Sequence, residues 1–135
     1  MRTMNIISNI LLSSVAAVMF FAATSFAASV EIRSKEGIGS YLADEKGMAL
    51  YLFKKDTVGN SACAGPCVEK WPLFAPGEVT VPDGVKAADF GVITRGDGNK
   101  QATYKGLPLY YFFKDKAAGD TFGQGVNDVW YIVAP

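Results

Sequence analysis

The chain contains no histidine in its 135 residues. That absence removes the commonest general base, the commonest zinc and copper ligand and the usual axial haem ligand. No serine or cysteine here has an imidazole to activate it as a nucleophile. Beyond residue 27 the only methionine is Met48, which excludes a methionine-rich copper site. Surplus charge is missing too, with 13 Lys and Arg against 13 Asp and Glu. Nucleic acids and anionic membranes both select a basic surplus, so neither is an expected partner. Cysteine is limited to Cys63 and Cys67.

The opening stretch reads as a secretory signal peptide. Arg2 sits in a short polar start, an apolar run extends around Ile10 to Ala23, and Ser25-Phe26-Ala27 supplies the small residues a peptidase needs. Cleavage near Ala27 predicts a periplasmic or secreted bacterial protein with no membrane span after processing. The junction carries no cysteine to acylate, so lipid anchoring by that route is not expected. Residues 28–135 then form one domain with a modest core. Because Arg2 leaves with the leader, 12 basic residues face 13 acidic ones and the formal charge becomes −1.

What the chain does have is an aromatic segment that occurs twice. Leu50-Tyr51-Leu52-Phe53-Lys54-Lys55-Asp56 returns as Leu109-Tyr110-Tyr111-Phe112-Phe113-Lys114-Asp115. Moving the chain by fifty-nine residues also pairs Gly39 with Gly98, Lys46-Gly47 with Lys105-Gly106 and Trp71 with Trp130. Matches at one register without gaps over such a span indicate duplication. Two copies are too few for a solenoid, which predicts one domain with a pseudo-twofold axis, each hairpin covering the other's apolar face.

Alternation and turn residues place the elements. Strands are expected at Val30 to Arg33, at 40–43 paired with 48–54 across the Asp44-Glu45-Lys46-Gly47 turn, at Val79 to Val81, at Phe90 to Thr94, at Lys100 to Tyr104 and at Val129 to Val133. In the 48–54 strand Tyr51 and Phe53 share one face while Leu50 and Leu52 share the other, so both faces are expected to be covered. Pro66 opens one helical turn that Pro72 ends. The expected fold is mainly β: a small single domain of two pseudo-symmetric β-hairpin repeats, about residues 38–72 and 97–131, with at most one short helical turn.

The Cys63-Ala64-Gly65-Pro66-Cys67 unit allows several readings. In an oxidising compartment two cysteines without a competitor form a disulfide, contributing about 2 kcal/mol for so short a loop. Thiol-disulfide redox or accessory electron transfer through Cys63 and Cys67 is an alternative, since Cys67 lies near a helical N-terminus. The spacing and the order of elements differ from thioredoxin-type sites. A metal or haem carrier is a weaker alternative, because two thiolates make an incomplete site and Val68, not histidine, follows the second cysteine.

Asp56 and Asp115 follow their aromatic strands at equal distance. Each suits a turn-closing acceptor. Alternatively, Tyr51, Asp56 and Trp71, with Tyr110, Asp115 and Trp130, form two related pockets of aromatic walls around one charge. Asp97-Gly98-Asn99 is a turn rather than a calcium loop. Arg95-Gly96-Asp97 spells an adhesion tripeptide, and Gly123-Gln124-Gly125 lacks the strand-to-helix setting of a phosphate loop. No catalytic residue, metal site or cofactor is expected. The expected activity is non-enzymatic binding of an unknown small ligand or envelope protein.

These motifs together resemble the bacterial secreted-repeat proteins of unknown function, lipoprotein-like proteins with a Tyr-x-aromatic-x-x-Asp motif. Tyr51 to Asp56 and Tyr110 to Asp115 match that motif. Ser61 to Pro72 resembles the family's Ser-x-Cys-x-Gly-x-Cys to Trp-Pro element, and Gly119 to Trp130 resembles its Gly-Asp to Gly-Gln-Gly to Trp ending. The resemblance covers about nine tenths of the chain beyond residue 27 and implies an extracytoplasmic protein. It brings no reaction and no catalytic residues.

Overall fold

The structure is a computed structural model that describes Ala17 and residues 27–135. The expected signal peptide otherwise lies outside the described residues. Eight strands and one short helix make a mainly β domain: β1 (Ala27–Lys35), β2 (Gly39–Asp44), β3 (Tyr51–Phe53), α1 (Pro66–Lys70), β4 (Glu78–Thr80), β5 (Phe90–Thr94), β6 (Lys100–Tyr104), β7 (Leu107–Pro108) and β8 (Trp130–Ile132). Single 3-10 turns cover Ala87–Asp89 and Val126–Asp128. Pro66 starts α1 at a position where the missing amide hydrogen is not needed, and the helix ends one residue before Trp71.

Three small sheets carry the domain, ordered β2-β1-β4, β3-β8 and β5-β6-β7. β1 pairs antiparallel with β2, and its first three residues pair parallel with Glu78 to Thr80. This corrects two expectations. β1 starts at Ala27 rather than Val30, because the parallel partner extends it. The whole-length partner of residues 39–44 is β1, whereas the segment after the turn pairs with β2 as expected only over residues 48–50, through Asp44 N donating to Met48 O, the Ala43–Ala49 bridge and Leu50 N donating to Leu42 O. The cause is Asp44. Its carboxylate accepts from the amides of Lys46 and Met48, holding a wide turn that directs Tyr51–Phe53 onto β8 instead. The strand expected at 79–81 lies one residue earlier.

The two copies meet at Tyr51 and Tyr110, whose backbones exchange both hydrogen bonds at 2.8 and 3.1 Å. The pseudo-twofold axis runs between them. Around it the bonds recur in pairs. Lys54 N donates to Val129 O as Phe113 N donates to Lys70 O, and Val133 N donates to Leu50 O as Phe74 N donates to Leu109 O. Each loop after an aromatic segment also hangs on the other copy's turn, Gly59 N on Gly106 O and Gly119 N on Gly47 O.

The gapless register needs correction. Leu50 N bonds to Leu42 O while Leu109 N bonds to Ala102 O, so before the turn the equivalent residues are sixty apart, not fifty-nine. The first copy turns through the Asp44-capped loop, the second through Lys105-Gly106 alone. Both of those residues have positive φ (50° and 84°), the geometry of the tightest hairpin turn. One residue is lost there.

Both faces of the 50–53 segment are covered, as its alternation predicts, with Leu50 and Tyr51 fully buried and Leu52 and Phe53 partly so. Leu50 and Leu52 join a core with Val30, Leu42, Phe74, Ala102, Tyr104, Leu109 and Val133. Tyr51 and Phe53 join a second, aromatic core with Tyr41, Cys63, Trp71, Tyr110, Phe112 and Trp130.

Candidate functional site

The aromatic core is built by exchange between copies. Tyr51 donates its phenol hydrogen to Asp115 Oδ2 at 2.6 Å, and Tyr110 donates to Asp56 Oδ2 at 2.6 Å. The second oxygen of each aspartate closes its own loop, accepting from Ala62 N at 2.6 Å and from Phe122 N at 2.9 Å. Both tyrosines are fully buried, and the aspartates are 8% and 6% exposed. Burial, then the carboxylate beside each phenol, pushes both tyrosine pKa values far above the ordinary one. Burial also raises Asp56 and Asp115, against the lowering effect of the hydrogen bonds they accept.

Between the two pairs lies a stack of four rings. Phe53 stacks on Trp130 with centroids 4.2 Å apart, Trp130 on Trp71 at 3.7 Å and Trp71 on Phe112 at 4.3 Å. Tyr51 meets Trp71 edge-on at 5.5 Å and Tyr110 meets Trp130 edge-on at 5.1 Å. Trp71 and Trp130 are therefore partners across the axis.

Cys63 and Cys67 form a disulfide, with Cys63 completely buried in the aromatic core. Beside it Arg95 is buried too. Its guanidinium donates to Ser61 Oγ at 2.6 Å, to Gln101 Oε1 at 2.7 Å, to the carbonyl of Cys63 and to Asp97. Ser61 also lies 2.6 Å from Tyr110 Oη, whose own hydrogen is committed to Asp56. The serine hydroxyl thus links the arginine to the Tyr110 pair. Among the described residues no three of Cys, Asp and Glu gather into a set able to hold a metal ion.

One wall of the stack reaches the surface. A groove of about 620 Å³ is lined by Lys70, Trp71, Phe112, Phe113, Lys114, Phe122, Val126 and Asn127. Phe122 is 62% exposed and Phe113 39% exposed. Lys114 lies over the Phe113 ring at 5.7 Å. Among the described residues no carboxylate belongs to the lining.

A family described as a secreted repeat of unknown function matches the chain twice, over residues 34–75 and 91–134. The chain belongs to this secreted-repeat family. No curated protein and no solved structure matches it. The first secreted-repeat span holds Tyr51, Asp56, Cys63, Cys67 and Trp71, and the second holds Tyr110, Asp115 and Trp130. Among the described residues no helix is long and apolar enough to cross a membrane.

Within this secreted-repeat frame the sequence candidates fall out differently from two separate pockets. Tyr51 does not bond to Asp56, nor Tyr110 to Asp115; each phenol goes to the other repeat's aspartate. Trp71 alone of the six candidates lines the groove. Sequence reading did not single out Phe113, Phe122, Lys70 and Lys114, although the repeat alignment held a signal. Lys54 stands fifty-nine residues before Phe113, and Ala62, whose amide closes the Asp56 loop as that of Phe122 closes the Asp115 loop, is the structural counterpart of Phe122, so the exposed aromatics belong to one copy only. Arg95 heads the adhesion tripeptide of the sequence, and its buried guanidinium does not present one.

Proposed function

We propose that this secreted-repeat domain is an extracytoplasmic, non-enzymatic binding module, released after cleavage near Ala27. Its ligand site is the groove beside Trp71, and its ligand is a small molecule with a flat apolar body and a negative charge. The observation that carries this reading is the groove's rim, with Phe113 and Phe122 exposed between Lys70 and Lys114. Aromatic surface offers stacking area, and two ammonium groups without an opposing carboxylate favour an anion. The fold does not require those phenylalanines, because the other copy builds the same hairpin with Lys54 and Ala62. Tyr51, Asp56, Tyr110 and Asp115 act behind the site by fixing the frame that holds Trp71. Cys63 is completely buried in the aromatic core and its partner Cys67 is half-buried at the start of α1, so the bond ties the helix that presents Trp71 to the core, which supports a stapling role.

Naphthalene-2-sulfonate serves as a probe, with 2-naphthylmethylammonium as its cationic counterpart. Titration followed by backbone NMR should move the amides of residues 70–71, 112–114 and 122 saturably. At about 1 kcal/mol per lysine in water, the anion should bind at least roughly tenfold tighter. Equal affinity for both probes, or shifts away from the groove, would overturn the assignment.

A further inference from the structure

Core packing accounts for the presence of aromatic rings around the axis, but two features go beyond packing. Stacked aromatic pairs prefer an offset or an edge-on approach. Trp71 and Trp130 instead lie parallel within 4° at 3.7 Å, which leaves little offset and maximal overlap of their π systems. Such overlap spreads a missing electron over both indoles and makes the pair easier to oxidise than a single one. In addition, each indole touches a phenol whose hydrogen is already held by a buried carboxylate 2.6 Å away. An apolar pair would fill the same space without burying two charges.

We propose that the Trp71–Trp130 stack, flanked by the Tyr51–Asp115 and Tyr110–Asp56 pairs, is a one-electron relay that stores an oxidising equivalent on a buried tyrosine. The co-reactant is a one-electron oxidant of high potential acting at the surface beside Trp71. It takes one electron from the stack and is reduced, leaving an indole radical cation shared by the two tryptophans. Tyr51 then gives an electron to the indole and its hydroxyl proton to Asp115 Oδ2. Tyrosine becomes a neutral radical, the aspartate a neutral acid, and the tryptophans return to their starting state. Tyr110 and Asp56 do the same on the other side. No heavy-atom bond breaks, and a later one-electron reductant restores the phenol as the proton moves back. The carboxylate matters because a phenol losing an electron becomes strongly acidic, and a preformed acceptor removes the need for water in a closed core.

The arrangement also contains an internal control. Tyr111 donates to Asp44 Oδ2 at 2.8 Å, yet its aromatic neighbour is Phe74, not an indole.

The test is photo-oxidation of the disulfide-intact protein by tris(bipyridine)ruthenium with persulfate, followed by transient absorption. The expected trace is an indolyl radical that converts into a tyrosyl radical, more slowly in deuterium oxide. Replacing both phenols, Tyr51→Phe with Tyr110→Phe, should lengthen the indolyl lifetime at least about tenfold, as should Asp56→Asn with Asp115→Asn. Tyr111→Phe should change neither. Should a double variant fail to fold, Tyr51→Phe and Tyr110→Phe singly must each lower the tyrosyl yield. The proposal is overturned if the wild-type indolyl radical decays without tyrosyl formation, or if the phenylalanine variants form tyrosyl radical as fast as wild type.

Discussion

Removing one hydroxyl at Tyr51 should cost far more than the loss of a surface hydrogen bond. In Tyr51→Phe the ring stays against Trp71 and Phe112, so the aromatic contacts are preserved. Two bonds disappear, the 2.6 Å donation to Asp115 and the 3.1 Å acceptance from Gly123 N. A hydrogen bond to a charged group contributes about 1.5–3 kcal/mol, and a buried group left without its partner costs about 1–3 kcal/mol. Asp115 keeps its bond from Phe122 N, which places the expected loss near 3 kcal/mol rather than at the sum of the extremes. For a domain of this size that is a large share of a total of about 5–15 kcal/mol. Urea unfolding of the disulfide-intact protein, monitored by near-ultraviolet circular dichroism, should show the midpoint falling by about 2 M at unchanged slope. A double-mutant cycle with Asp115→Asn should return a coupling of about 1–3 kcal/mol, and the Tyr110–Asp56 cycle a similar one. A coupling under about 0.5 kcal/mol in both cycles would refute the claim that these pairs hold the two copies together.

Alkaline titration should unfold the protein cooperatively. The raised pKa values of Tyr51, Tyr110 and Tyr111 mean that the folded state keeps protons the unfolded chain gives up. Their stabilising effect is complete below pH 10 and is lost above it at about 1.4 kcal/mol per pH unit for each tyrosine. Stability that stayed level to pH 12 would contradict this. The same sign applies to Asp56 and Asp115 at low pH, so stability from these two groups should increase as pH falls through their raised values. Reducing the Cys63–Cys67 disulfide should lower stability by about 2 kcal/mol without abolishing the fold, as measured by urea midpoints with and without reductant. Gly123→Ala should be destabilising by about 1–3 kcal/mol, because its Cβ would lie 2.7 Å from Tyr51 and 2.9 Å from Trp71. Gly96→Ala meets nothing within 4 Å and should be nearly neutral, so equal thermal shifts for the two would count against the packing described.

Much of the fold was legible because its signals are local. The Gly96-Asp97-Gly98-Asn99 turn places β5 and β6 within the bounds observed, and the prolines at 66 and 72 bracket a five-residue helix. The alternation of Leu50, Tyr51, Leu52 and Phe53 correctly implies two covered faces. Partner choice was not legible. Tyr51 with Asp56 and Tyr51 with Asp115 leave the same trace in a duplicated sequence, since both copies carry both residues. Likewise the parallel contact of β1 with β4 spans a separation for which periodicity has no signal. The gapless register was misleading because fifty-nine holds over the aromatic segments and again at the tryptophans, whereas sixty holds before the hairpin turn and in the loops at Gly59 and Gly119. Arg95 sits beside glycine and aspartate, residues typical of an exposed turn, yet Ser61, Gln101 and the Cys63 carbonyl satisfy its guanidinium inside. The groove was hidden for the opposite reason: Phe113 and Phe122 look like core residues, and only the three-dimensional structure leaves them at the surface.

The crossed bonds around the axis have a consequence for ancestry and assembly. Each copy supplies the acid for the other's phenol, and each loop hangs on the other's turn. A half-length chain carrying one copy would leave its own tyrosine and aspartate unmatched, but a second identical chain would match both. The expected product of such a gene is a self-complementary homodimer, and fusion of two copies would have turned that interface into the interior of one domain. The same geometry predicts exchange of halves between two full-length chains at high concentration, to be seen as a concentration-dependent dimer in size-exclusion chromatography.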